Sequence, residues 1–209
     1  SLRRLTMSIL VLTSDTLIGT PATGNIEYNG QFYGTDSNAS RAQMQRITLG
    51  TVNAGGANPF NNTLTAVDFT GIPSWVKRIT VMFNGVSTNG SALVLIQLGT
   101  ASSIETTGYS GSTQYAASYV AFSSYTGVPI DTASTVAAAT VRSGQIVFNL
   151  LDSSTNTWAV FGGFGLTTAA ALILPAGTKA LASVLTRLRI TTSGSDTFDA
   201  GSINILYEG

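Results

Sequence analysis

Trp75-Val-Lys-Arg-Ile79-Thr-Val81-Met-Phe83 decides the fold class, because Ile79, Val81 and Phe83 fall on one side of an extended chain and the residues between them on the other. A period of two belongs to a strand with one face buried. The pattern extends in both directions. Upstream, Thr63-Leu-Thr-Ala-Val67-Asp-Phe69 alternates until Gly71-Ile-Pro73 breaks it; downstream, Ala92-Leu-Val-Leu-Ile-Gln-Leu98 is a continuous apolar run that predicts a strand covered on both faces. Asn84-Gly85 and Asn89-Gly90 read as two turns. Gln145 to Leu151 and Thr157 to Phe161 flank the polar turn Asp152-Ser-Ser-Thr-Asn156 and predict a hairpin. Further on, in Leu181 to Thr191, Arg187 and Arg189 face opposite to Leu188 and Ile190, and Ser202 to Tyr207 forms the last strand. Seven or more strands with no helix between them predict an all-β fold for residues 50–209. The architecture expected is an antiparallel two-sheet sandwich, jelly-roll-like, ahead of a closed barrel.

Residues 1–47 read differently, as an N-terminal arm for attachment and oligomerisation. Asn29-Gly30 sits between the short runs of Gly24 to Tyr28 and Gln31 to Gly34, a hairpin signal. Asp36 to Ile47 offers Asp and Ser caps before a stretch of helix formers, so a short helix of at most three turns is expected there. A strand, a hairpin and a helix too short to stand alone must pack on something else.

Composition excludes most catalytic chemistry. The chain of 209 residues has no His and no Cys, so it cannot build a Ser-His-Asp or Cys-His arrangement, a His-ligated metal site, a disulfide or a zinc finger. Ten Lys plus Arg balance ten Asp plus Glu, and charged residues are 10% of the chain, against about 25% in ordinary soluble domains. Thirty Thr, 23 Ser and 12 Asn supply the polar surface instead. A neutral surface with so little charge repulsion suits a subunit covered by an assembly, and ten scattered cations do not make a nucleic-acid stripe. Neither Arg3-Arg4 with the apolar run Met7 to Thr13 nor the uncharged tract Trp158 to Leu174 predicts a membrane segment. The first breaks at Ser14-Asp15, and the second reads as two short buried strands joined at Gly162-Gly163. No cofactor, metal or catalytic residue is expected.

Two places could carry recognition. Between Glu105 and Asp131 the chain holds no charge and four of its seven Tyr, namely Tyr109, Tyr115, Tyr119 and Tyr125. Tyr among Ser and Gly suits glycan recognition, since the ring stacks on a sugar and the hydroxyl bonds to it; subunit packing or plain strand placement is the other reading. Asn84 and Asn89 join the glycan candidates as residues of a loop. Arg3, Arg4, Arg41 and Arg46 are candidate attachment contacts of the arm, or solvated charges. Asp196 and Asp199 form the one close carboxylate pair in the last two-thirds of the chain, and turn formation explains them better than glycoside hydrolysis or a calcium site.

Pro21 to Tyr33 followed by Arg41-Ala-Gln-Met-Gln-Arg46 resembles a segment of bacteriophage fibre and virion-attached proteins. Gly71 to Gly90 and the closing Ala200 to Gly209 are similar to the β-rich C-terminal module of the same proteins. The resemblance implies a non-enzymatic phage structural protein, a short homotrimeric fibre located on the virion. Its arm would bind other virion proteins, in the capsid or tail, and its sandwich would bind a host-surface polysaccharide. The chain departs from long fibres in lacking a repetitive shaft. A capsid decoration or cement protein and a free carbohydrate-binding module are the alternatives.

Overall fold

Every strand expected in residues 63–209 forms, and several run well beyond the alternation that marked them. The computed structural model describes residues 25–28, 32–35, 41–43, 47–51, 63–115, 118–167 and 171–209. The chain divides into two units, Ser1–Arg46 and Ile47–Gly209.

In the first unit, β1 (Ile26–Tyr28), β2 (Phe32–Thr35) and β3 (Arg41–Gln43) make a three-stranded antiparallel sheet in the order β1-β2-β3. Tyr28 pairs with Phe32, their rings 5.0 Å apart, so β1 and β2 are antiparallel neighbours as the hairpin reading expects; Asn29-Gly30, the turn it named, lies outside the described residues. The expected helix is corrected where it can be read, because Arg41–Gln43 is a strand whose Ala42 pairs with Gly34. The physical reason is that β2 offers a second edge of backbone donors and acceptors, whereas a short helix with few apolar residues gains little by itself. The rest of that stretch, 36–40 and 44–46, lies outside the described residues.

The second unit holds β4 (Ile47–Leu49), β5 (Ala66–Thr70), β6 (Arg78–Thr88), β7 (Val94–Gly99), β8 (Tyr109–Tyr115), β9 (Ser118–Ala121), β10 (Val128–Pro129), β11 (Arg142–Asp152), β12 (Thr157–Leu166), β13 (Ala171–Ala180), β14 (Arg187–Thr192) and β15 (Phe198–Glu208). They form a four-stranded sheet, β10-β7-β14-β5, and an eight-stranded sheet, β4-β15-β6-β11-β12-β13-β8-β9, antiparallel throughout. From β5 to β8 the chain crosses from one sheet to the other at every connection, and it crosses again at β10, β11, β14 and β15. That alternation is the double Greek key of a jelly roll. One strand of the usual eight is replaced by the β11-β12-β13 meander, and because three is odd, β13 still meets β8 antiparallel.

One core fills the space between the sheets. Val67, Val94, Ile96, Leu98, Leu188 and Ile190 of the small sheet meet Ile79, Val81, Phe83, Ile146, Phe148, Trp158, Phe164, Ile173 and Ile203 of the large one. The Phe83 and Phe164 rings pack edge to face at 5.2 Å. All six residues of β7 are buried, as its continuous apolar run requires, and Gln97 donates to the Thr126 carbonyl at 2.9 Å.

Two turn expectations fail, both at glycine. Asn84-Gly85 is a bulge inside β6, where the registers to β11 and β15 shift and Gly85 takes φ +65°. Gly162-Gly163 lies inside β12, and β12 and β13 are joined by 167–170. Sequence reads these as turns because Asn-Gly and Gly-Gly permit one, but permission is also what a bulge or a close approach needs.

The close approach is sharpest where Gly177 of β13 pairs with Gly111 of β8 under the fully buried Phe122 ring. A methyl group on Gly177 would meet the Ser110 carbonyl oxygen and the Phe122 ring. Gly177→Ala is therefore expected to lower stability by about 1–3 kcal/mol in chemical denaturation, as overpacking does. An unchanged midpoint would contradict this packing.

Candidate functional site

Three charged residues, Asp131, Arg142 and Lys179, are turned inward. Asp131 and Arg142 have no exposed surface; Arg142 Nε donates to Asp131 Oδ1 at 2.8 Å and Nη1 to the Thr140 carbonyl at 3.0 Å. The second Asp131 oxygen accepts the Val94 N–H at 2.8 Å. Burial pushes the Asp131 carboxyl up from its ordinary value, and the Arg142 charge opposes that rise. Near the other end of β7, the Tyr109 hydroxyl accepts the Leu98 N–H at 2.8 Å and donates to the Glu105 carbonyl at 2.9 Å. Buried Lys179 lies over the Tyr109 ring at 5.5 Å, its Nζ 2.5 Å from Glu105 Oε2, while Glu105 Oε1 accepts the Ala182 N–H at 2.8 Å. On the small sheet, Arg189 holds Asp68 with two bonds of 2.7 and 2.6 Å between directly paired residues.

The carboxylate pair is accounted for by the turn it flanks. Asp196 accepts the Ala92 N–H at 2.6 Å, and Asp199 accepts the Ser87 hydroxyl. Asn89 joins the same junction, its N–H donating to the Thr197 carbonyl at 3.0 Å and its Oδ1 accepting the Thr197 N–H at 2.9 Å. Among the described residues no group of three or more acids, His or Cys gathers as a metal site would need. A cleft of about 380 Å³ between Leu49, Gly50, Phe69, Ile72, Ile205 and Tyr207 carries no charged group.

The tyrosines separate. Tyr109 is 3% exposed, so the expectation that it meets a glycan is corrected: its ring is core and its hydroxyl a backbone partner. The reason is that a strand start beside an incompletely paired neighbour needs a buried acceptor. Tyr115 and Tyr125 are half-buried, the former packed on the core. Tyr119 is 75% exposed on the edge strand β9, opposite Gln114. Asn84 is exposed on β6 and does not share a loop with Asn89. Five inter-strand steps, about 24 Å, separate β6 from β9, so Asn84 and Tyr119 are not one site. Arg3, Arg4 and Arg46 lie outside the described residues, and Arg41 is described only as part of β3.

A feature the sequence reading missed is the outer face of the large sheet. Phe161, Leu172 and Leu174 are 64%, 59% and 43% exposed on β12 and β13, where the sequence reads as two short buried strands. Gly163 leaves a depression of about 150 Å³ beside Phe161, bordered by Gln145, Val147 and Leu174. On the outer face of β11, β12, β13 and β8 the one charged group among the described residues is Asp152, in the turn at one end, where it accepts from Ser154 and Thr155. The signal was present in the sequence as Phe161, Leu172 and Leu174 at outward alternation positions, but a continuous apolar run hides which face is which. No helix among the described residues is long and apolar enough to cross a membrane. Compared with family models, with curated proteins and with solved structures, the chain matches none.

Asp131→Asn strands the Arg142 charge in the core and is expected to cost about 3–5 kcal/mol in urea unfolding. Adding Arg142→Met should recover part of that loss, and an equal or larger loss in the double variant would contradict the ion-pair account. Burial also pushes the Tyr109 hydroxyl above its ordinary value of about 10, so its contribution is whole below that pH and is lost as pH rises past it. Ultraviolet titration should find a tyrosine that ionises last, and Tyr109→Phe should remove that step.

Proposed function

We propose that the chain is a phage virion structural protein, a short trimeric fibre held by residues 1–47 and presenting its jelly-roll sandwich outward. The observation that carries this reading is the combination of few charges, largely taken up in ion pairs, with a broad neutral sheet face. A free protein gains solubility from surface charge, whereas a subunit that is covered on assembly does not need it. The resemblance of Pro21 to Tyr33 with Arg41 to Arg46, of Gly71 to Gly90 and of Ala200 to Gly209 to phage fibre segments is what points to the particle. In this reading the arm contacts other virion proteins through Arg3, Arg4, Arg41 and Arg46. Tyr119, exposed at the edge of the sandwich beside Gln114, is offered to a host-surface saccharide by stacking and hydrogen bonding.

Light scattering of the full chain is expected to give three times 21.6 kDa, about 65 kDa. A mass of one chain would favour a free carbohydrate-binding module and overturn the fibre. For the saccharide, a glycan array with the full chain should show binding that Tyr119→Ala weakens at least about tenfold, the scale of one stacking contact. No binding by the parent chain would remove the receptor role and leave the structural one, including a capsid-decorating protein.

A further inference from the structure

We propose that the outer face of β11, β12, β13 and β8 is the surface on which copies of this chain meet, with Phe161 of one copy entering the Gly163 depression of another. The proposal rests on the trimeric reading above and names the face that builds it.

Three properties point to a second copy as the occupant. The first is charge. From the Asp152 turn to the far end of the four strands, the face presents Ser143, Gln145, Val147, Phe161, Leu174 and Gln114 with their neighbours, and no Lys, Arg or Glu among the described residues. A partner of opposite charge has nothing here to attract it, while a copy of the same neutral face meets it without like-charge repulsion. The second is relief. Phe161 stands 64% exposed directly beside the depression of about 150 Å³ that Gly163 leaves. Around a threefold axis the projecting ring of each copy enters the hollow of the next, so ring and hollow on one face complement each other head to tail. The third is size. Four strands at about 4.8 Å spacing and up to ten residues long give a plane of about 19 Å by 34 Å, roughly 650 Å². A stable interface takes about 800 Å² from each partner, so this plane with its side-chain relief is of the required order.

The test is sedimentation velocity of the full chain against Phe161→Asp and Leu174→Asp, with Val184→Asp, an exposed apolar residue of the β13–β14 connection, as control. The parent is expected to sediment as an oligomer; each face variant should raise the dissociation constant about 30-fold or more while the control does not. Because a face variant could also fail to fold, benzoylphenylalanine placed at position 161 provides a second readout. On illumination it should link chains into covalent multimers, through residues of β11, β12, β13 or β8. A parent oligomer that survives both face variants, with no cross-links from position 161, overturns this face and leaves the fibre reading standing. A monomeric parent overturns both.

Discussion

The constraint on which the sandwich depends is the edge of β7 that β10 is too short to cover. Every residue of β7 is buried, and β10 pairs with it only at Leu95 and Ile96. Two residues to either side of Ile96, the N–H groups of Val94 and Leu98 point the same way and have no strand to meet. A buried donor left unpaired costs about 1–3 kcal/mol. The chain fills both positions with side chains, the Asp131 carboxylate at Val94 and the Tyr109 hydroxyl at Leu98. Each brings a link to the large sheet, since Asp131 is held by Arg142 at the start of β11 and Tyr109 begins β8 under Lys179 of β13. Backbone satisfaction and sheet-to-sheet attachment are thus one arrangement.

That arrangement explains where the charge went. Of the ten cations, Arg142 and Lys179 are spent in the interior, and Arg78 and Arg189 pair with Glu208 and Asp68. With so few charges in the whole chain, pairing them internally leaves a surface of hydroxyls, amides and apolar side chains. The large sheet's outer face shows the result most fully. It is long because the jelly roll carries a three-stranded meander where one strand would suffice, and the added strands β12 and β13 are the ones that expose Phe161, Leu172 and Leu174.

The architecture was legible in the sequence wherever burial is one-sided. Ile79, Val81 and Phe83 point inward as their spacing predicts, and Arg187 and Arg189 oppose Leu188 and Ile190 on β14. What escaped was set by partners distant in the chain. Tyr109 looks like its three neighbours in sequence until β7 arrives beside it; Asp131 looks like a loop acid until Arg142 folds over it. Gly85 and Gly163 announce freedom without saying whether the chain turns, bulges or leaves a hollow. Arg41–Gln43 has helix-forming residues, yet the open edge of β2 decides for strand.

We propose that the neutral outer face of the large sheet, left almost without charge in a chain whose Asp131, Arg142 and Lys179 are buried, is covered by copies of the chain. Hydroxyl-radical footprinting of the full chain over a range of protein concentrations tests it at the side chains themselves. The account predicts that Phe161, Leu172 and Leu174 become protected as concentration rises while exposed Val184 stays reactive. Equal reactivity of all four at every concentration, in a chain whose mass shows it to be oligomeric, would contradict it.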